Sequence, residues 1–283
     1  MAKIVPFIII LIVSLSFTVN AQFLEIGGYG GGLSFNGDVN EGGMLANSSA
    51  GFGAFIRYNP HPRFGLSLGF IKGSLEAKDR TSQLPHIRER NLSFRSDLTE
   101  FSLISELNIL SFYPQKDVYA FAPYLGAGIA VILFNPTAKY NGEWVELQKV
   151  GTEGQGLEGY PKKYNLVQVA IPILFGLKYS IGGRLNIAVE VGYRFTFTDY
   201  LDDVSTVFVS PKELINSSEL AVALSNRTEE YTGAPANHLI GTRRGNANNN
   251  DGYLTMGVRI SFSLYAKKAY PQKKIEYKIN KWF

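Results

Sequence analysis

The feature that most constrains the fold is an unbroken alternation of apolar with polar or small residues over residues 185–198. The residues on the apolar side are Leu185, Ile187, Val189, Val191, Tyr193, Phe195 and Phe197. A period of two places successive side chains on opposite faces of a β-strand. The 14 residues of this segment exceed the roughly 9–11 that a tilted strand needs to cross a bilayer. The pattern predicts a strand with lipid on one face and a polar barrel interior on the other.

The same alternation recurs along the chain and predicts eight strands in all. Besides 185–198, the predicted strands are 22–35, 51–59, 64–73, 100–109, 119–134, 167–179 and 254–264. After residue 21 no apolar run reaches the roughly 18 residues of a spanning helix. Tyr and Phe are abundant, with 16 and 19 residues, as expected for aromatic residues at membrane interfaces.

Short and long connections between these strands alternate strictly. Residues 59–63, 111–118 and 180–184 are short and contain Pro or Gly, whereas 36–50, 77–91, 135–165 and 199–251 are long. Alternation of this kind is typical of an outer-membrane barrel with periplasmic turns and extracellular loops, and an even strand number places both termini in the periplasm. A secreted β-sandwich is the alternative. We therefore expect an all-β, eight-stranded antiparallel transmembrane β-barrel.

An eight-stranded barrel is only wide enough to be filled by its own side chains. The residues predicted to face the lumen include charges of both signs: Arg57, Glu100, Glu106, Lys178, Glu190, Arg194 and Arg259. Ion pairs between them would compensate the cost of burying charge. The sequence thus predicts a plugged scaffold rather than a diffusion pore.

The ends of the chain differ from the barrel in composition. Residues 1–21 predict a signal peptide, with Lys3, an apolar stretch and a small-residue cleavage site ending at Ala21. We expect the barrel to occupy residues 22–264 and a periplasmic tail to occupy 265–283. The chain contains no Cys, which excludes disulfides and a lipid-modified cysteine. Its net charge of +4 is too small to indicate nucleic-acid binding.

The tail is the candidate partner-binding segment. It carries six lysines and one acidic residue, interleaved with aromatic residues. Aromatic anchors carry much of the energy of protein interfaces, which favours a protein partner. A disordered basic tail on anionic surfaces is the alternative. The candidate residues are Lys267, Lys268, Tyr270, Lys273, Lys274, Tyr277, Trp282 and Phe283.

An aspartate-rich segment opens the last long loop. Asp199, Asp202 and Asp203 lie within five positions, and Ca²⁺ prefers several oxygen ligands. They could equally form the hydrogen-bonded base of a loop. Further along, Ser210 and Pro211 predict a helix start with Glu213 completing a capping box. The apolar residues from Leu214 to Leu224 would form one face of that helix.

Neither a cofactor site nor an enzyme is predicted. Residues 151–156, in the third loop, are rich in Gly but lack the Lys-Ser/Thr of a phosphate-binding loop, so we expect an irregular surface loop. Of the three histidines, His61 lies in a turn, and His86 and His238 lie in long loops. Neither loop histidine stands beside a serine in a recognisable motif, so we expect solvated loops rather than a nucleophile–base pair.

Four short sequence motifs together resemble those of a known family. They are 34–38 (SFNGD) after a Gly-rich first strand, 151–155 (GTEGQ), 199–205 (DYLDDVS) and 251–254 (DGYL). The chain resembles the PorG family, small outer-membrane barrels of the type IX secretion system in Bacteroidetes. The resemblance covers essentially the whole mature chain.

The resemblance implies a non-enzymatic part of a machine that exports folded proteins across the outer membrane. It further implies contact with outer-membrane lipids and with the periplasmic ring of lipoprotein and partner subunits, and, in gliding species, support of motility. It brings no catalytic residues to carry over. The alternative is a stand-alone structural or adhesin-like barrel that acts through its external loops.

Overall fold

A computed structural model describes residues 23–39, 48–235 and 237–264. Its strands are β1 (Phe23–Asn36), β2 (Ser48–His61), β3 (Phe64–Lys78), β4 (Ser93–Asn108), β5 (Phe121–Tyr140), β6 (Glu143–Glu146), β7 (Val167–Ile181), β8 (Leu185–Thr196) and β9 (Gly252–Leu264). Its α-helices are α1 (Pro85–Arg90), α2 (Leu147–Val150), α3 (Pro211–Leu214), α4 (Glu219–Ser225) and α5 (Thr228–Thr232). Single 3₁₀ turns cover Asp79–Thr81, Asp117–Tyr119 and Asn237–Leu239.

Eight of these strands form a closed antiparallel barrel, which confirms the predicted fold. The order around the barrel is β1-β2-β3-β4-β5-β7-β8-β9, and pairing of β1 with β9 closes it. The remaining strand, β6, pairs only with β5 in a hairpin that projects beyond the wall. Closure leaves no unpaired sheet edge in the wall, as spanning a membrane by strands requires.

The outer surface of the barrel carries a continuous apolar belt. Outward-facing side chains of the wall include Phe52, Leu68, Phe101, Ile129, Ile173, Val189 and Phe262, all of them exposed. An apolar surface of this extent is covered by hydrocarbon rather than water, so the barrel spans a membrane. In the described part of the chain, every helix is too short or too polar to span a membrane.

Short turns, together with the described chain ends Phe23 and Leu264, lie at one end of the barrel, the turn end. The turn between β4 and β5 folds underneath the lumen, where the backbone N–H of Phe112 donates to the carbonyl of Pro62 at 3.0 Å. The Phe112 ring is fully buried against Phe23, with ring centroids 6.4 Å apart. This turn forms an apolar floor below the lumen.

The opposite end, the loop end, carries the long loops, which fold into a cap. Above the belt the polarity of the wall inverts: Phe94 and Leu98 of β4 face an apolar interior, whereas Arg95 and Asp97 face outward. The predicted strands 100–109 and 119–134 are accordingly too short at this end. Their extensions, 93–99 and 135–140, lack an apolar outward face, which is the signal on which the prediction depended.

The helix in the last loop is also shorter than predicted. Ser210 caps α3 as expected, since its hydroxyl accepts from the backbone N–H of Lys212 at 3.3 Å. However, Glu213 accepts from the Tyr160 hydroxyl at 2.9 Å instead of closing a capping box. The chain leaves the helix after Leu214, and a second helix, α4, starts behind Ser218. The predicted single apolar face is thus divided between two short helices.

Candidate functional site

The lumen is filled by a network of charged side chains, as predicted. All seven predicted lumen residues are buried. Arg57 lies 2.9 Å from Glu106, which also lies 3.3 Å from Arg259 and 3.8 Å from Lys178. Glu190 lies 2.9 Å from Arg259. These pairs compensate the charges inside the membrane-spanning wall.

Two lumen residues that the prediction missed complete this network. Glu25 of β1 is fully buried and lies 3.1 Å from Arg57. Glu25 alternates with Leu24 and Ile26 at the start of a Gly-rich strand, and this short alternation is the sequence pattern that could have identified it as a lumen residue. The Tyr124 hydroxyl donates to Glu190 at 2.8 Å. With Glu25 included, the network holds three carboxylates and three cations and is electrically balanced.

A second polar layer lies nearer the cap. Arg194 lies 3.1 Å from Glu100, which also accepts from the Tyr253 hydroxyl at 2.7 Å. Between the two layers is a cavity of about 20 Å³ lined by Tyr29, Glu190 and Arg259, which holds about one water molecule. The lumen is therefore a packed interior and not a channel.

The aspartate-rich segment lies on the cap side of the second polar layer, where its hydrogen bonds connect the long loops. Asp202 accepts from the backbone N–H groups of Val39 and Val204 at 3.1 and 2.9 Å. Asp203 accepts from the Tyr164 hydroxyl at 2.7 Å and from Thr152. These contacts join the first, third and last long loops.

The candidate metal ligands Asp199, Asp202 and Asp203 do not converge on one point. Within residues 23–39, 48–235 and 237–264, no group of three His, Cys, Asp or Glu side chains is arranged to hold a metal ion. Asp202 and Asp203 serve as hydrogen-bond acceptors for the loops, which is the second of the two interpretations given above.

Residues 151–155 of the third loop are buried, in contrast to the predicted surface loop. Glu153 is 2 % exposed and accepts from the backbone N–H groups of Ser205 and Thr206 at 2.9 and 3.0 Å. Arg244 donates to the same carboxylate at 2.8 Å. No local pattern indicates these contacts, because the partners lie 52–91 positions away along the chain. Glu153 anchors the last loop to the third.

Burial raises the pKa values of the aspartates beneath the cap. Burial raises the pKa of Asp199 to about 7; a hydrogen bond with Ser205 opposes the shift, and the negative charges of Asp38 and Glu153 add to it. Burial raises the pKa of Asp203 to about 6, although Arg244 opposes the shift. Burial also raises the pKa of Asp202 and of Asp251 well above the usual value.

The cap should therefore become more stable as the pH falls from about 8 to about 5. A carboxyl group whose pKa is raised in the folded state favours folding when protonated, and this contribution is lost as the pH rises through the folded pKa. We expect several-fold slower amide hydrogen exchange in residues 199–251 at pH 5.5 than at pH 8, after correction for intrinsic exchange. Asp199→Asn should slow exchange at pH 8 and reduce the pH dependence. Faster corrected exchange at pH 5.5 would contradict this.

The histidines lie at both ends of the barrel. His61 ends β2, and its Nδ1 accepts from the backbone N–H of Arg63 at 3.2 Å. His86 lies in α1 and His238 in the 3₁₀ turn Asn237–Leu239. The predicted signal peptide, 1–21, and the predicted partner-binding residues of the tail, 265–283, lie outside the described residues.

Comparison with known proteins places the chain in a family. Residues 3–213 match the family described as "Domain of unknown function (DUF6089)". The chain belongs to this family. No curated protein matches the chain.

Solved structures similar to this DUF6089 chain are bacterial surface barrels. The N-terminal β-barrel domain of Pseudomonas aeruginosa OprF is 12 % identical, with coverage of 86 % of this chain and 98 % of that chain and a TM-score of 0.39. Neisserial surface protein A is 7 % identical, with coverage of 86 % and 98 % and a TM-score of 0.42. The outer membrane protein OprG from Pseudomonas aeruginosa is 11 % identical, with coverage of 86 % and 96 % and a TM-score of 0.39.

Proposed function

We propose that the protein is a non-enzymatic outer-membrane component of the type IX secretion machinery, which contacts and anchors its periplasmic ring. The observation that carries this proposal is the filled lumen. A barrel whose interior is occupied by ion pairs, with Phe112 below and the cap above, serves as a rigid membrane anchor. The sequence phrases shared with the PorG family supply the link to type IX secretion.

The proposed orientation places the turn end in the periplasm and the cap outside the cell. Short turns on the periplasmic side and long loops on the outer side are typical of outer-membrane barrels. Phe23 and Leu264, which border the predicted signal peptide and tail, both lie at the turn end. In this orientation the tail enters the compartment that holds the ring.

The tail is the proposed docking element, with the periplasmic turns beside it. Its lysines and aromatic residues suit an acidic protein surface with apolar pockets. The turn between β4 and β5 contributes Val118, which is 88 % exposed, to the proposed docking surface. The proposed partners are the lipoprotein of the ring and its partner subunit.

A non-enzymatic role is part of the proposal. His86 lies in α1 and His238 in the 3₁₀ turn Asn237–Leu239, and the sequence around neither histidine contains a recognisable nucleophile–base motif. In the closed lumen, the charged groups Arg57, Glu106 and Arg259 pair with one another. A substrate has no access to them.

Chemical crosslinking in isolated envelopes tests the proposal. We expect the intact chain to recover ring subunits and a chain ending at Leu264 to lose them, although both insert as barrels that migrate anomalously on unheated gels. Two full-length variants separate the contributions: one with the six tail lysines changed to Gln, the other with Tyr270, Tyr277, Trp282 and Phe283 changed to Ser. Failure of the intact chain to recover any ring subunit would refute the secretion role.

A stand-alone adhesin-like barrel is the second candidate, and the folded cap favours it. Helices α3 and α4 enclose an apolar cluster with Leu214 and Ala221, so the cap presents a defined outer surface. Exposed apolar residues on it include Ile215, Tyr231 and Ile240. Changing these three to Ser should abolish surface adhesion without altering ring recovery if this candidate is correct.

A further inference from the structure

A polar cavity opens at the loop end, between the cap and the barrel wall. Its volume is about 560 Å³. Three segments line it: the end of β1 with residues 36–38, helix α1, and residues 243–250 before β9. Ile87 is the one apolar side chain among these lining residues. The cavity therefore suits a hydrophilic ligand rather than an acyl chain.

Two buried guanidinium groups are fixed in the wall of this cavity. Arg90 donates to Asp79 at 2.7 Å and to the carbonyls of Asp38 and Arg244 at 2.7 and 2.6 Å. Arg244 donates through Nε and Nη1 to Glu153 and to the carbonyls of Ser225 and Asp203, at 2.6–3.0 Å. Both side chains are held rigidly, so they bind a ligand with little loss of conformational freedom.

Two lining arginines keep donor groups that the protein itself does not use. Within the described residues, Nη2 of Arg244 makes no hydrogen bond. The exposed Arg243 side chain donates one hydrogen bond, from its Nη2 to the side chain of Asn246. His86 adds an imidazole to the lining, and Asp38 is the single carboxylate in it, occupied by the backbone N–H of Asn246 at 2.6 Å. Because Asp79 and Glu153 offset the charges of Arg90 and Arg244, the free N–H donors of the arginines, and not a net charge, characterise this lining.

Four of the twelve lining residues carry side-chain amides. They are Asn36, Asn246, Asn249 and Asn250. An amide both donates and accepts hydrogen bonds, which suits hydroxyl groups, whereas guanidinium groups suit phosphate or carboxylate. The combination is complementary to a sugar that carries an anionic substituent.

We propose that this cavity binds an anionic saccharide, with its phosphate or carboxylate on Arg243 and Arg244 and its hydroxyls on the asparagine amides. The site is independent of the proposed secretion role, because it lies at the opposite end of the barrel from Leu264, the last described residue. The saccharide can be the headgroup of a glycolipid in the surrounding membrane or part of a free polysaccharide.

Calorimetric titration of the purified full-length barrel in detergent micelles tests the site. The probes are glucose 1-phosphate and galacturonic acid oligomers, with maltose as the neutral counterpart. We expect the anionic sugars to bind about tenfold or more tightly than maltose, as charge-assisted hydrogen bonds provide, and their affinity to fall as salt is raised. Equal affinity for maltose, or no binding of either anionic probe at millimolar concentration, would overturn the proposal.

Variants locate the binding and control for folding. Arg243→Ala should weaken binding of the anionic sugars about tenfold, and Asn249→Ala with Asn250→Ala should weaken it further. Arg63→Ala, an exposed arginine at the turn end, is the matched control and should leave it unchanged. An unchanged affinity in Arg243→Ala, in a barrel that shows normal heat-dependent gel migration, would place the sugar elsewhere and refute the site.

The source of the saccharide follows from a comparison of two further titrants. One is a phosphorylated glycolipid in phosphatidylethanolamine vesicles, and the other is its soluble deacylated headgroup. Tighter binding of the vesicle-bound form supports the site as a glycolipid receptor, and equal binding supports it as a receptor for free polysaccharide. Binding of the vesicles that persists in Arg243→Ala reports adhesion by the apolar belt alone and counts against the site.

Discussion

Replacing Glu106 with Gln should lower the free energy of unfolding by about 3–5 kcal/mol, the usual cost of removing one partner from a buried ion pair. Glu106 is fully buried and lies within 4 Å of Arg57, Lys178 and Arg259. Its neutralisation leaves one cation without a counter-charge inside the lumen. Urea unfolding in lipid vesicles, followed by the gel shift of the folded barrel, measures the effect.

Two further variants make this result interpretable. Glu143→Gln removes an equivalent charge from the exposed β5–β6 hairpin and should leave the stability nearly unchanged. Combining Glu106→Gln with Lys178→Met restores the charge balance of the lumen, and we expect it to recover much of the lost stability. A Glu106→Gln barrel as stable as Glu143→Gln would show that the lumen charges do not depend on one another.

An arginine at Val189 should destabilise the inserted barrel by about 2–4 kcal/mol, because it places a charge near the bilayer midplane on the lipid-facing surface. Val189 is 57 % exposed and is flanked by Leu177 and Val258 on the neighbouring strands. Unfolding from vesicles is again the measurement. The cost should increase in bilayers with longer acyl chains, where the arginine reaches the interface less easily.

The matched control is Val118→Arg, the same substitution in the turn that forms the floor of the lumen. Val118 is exposed but lies outside the belt, and arginine near an interface costs only about 0–1 kcal/mol. Similar costs at Val118 and Val189 would mean that the apolar belt is not the lipid-facing surface.

The alternation of side chains was sufficient to predict the barrel and its lumen, because a strand between lipid and a polar interior has to repeat every two residues. The alternation did not predict the strand residues 93–99 and 135–140, because both faces of the wall change polarity above the belt. It also gave no indication of Glu153. The partners of Glu153, Ser205 and Arg244, come from distant positions in the chain, and only the folded cap brings them together.

The inversion of polarity along the wall has a mechanical consequence. Moving the barrel along the membrane normal towards its loop end would expose the Phe101 level of the belt to water, and moving it towards its turn end would drag Arg95 and Asp97 into hydrocarbon. Both displacements raise the free energy steeply, so the barrel has a fixed depth in the bilayer. Any load attached at the turn end is thereby resisted by the whole circumference of the wall.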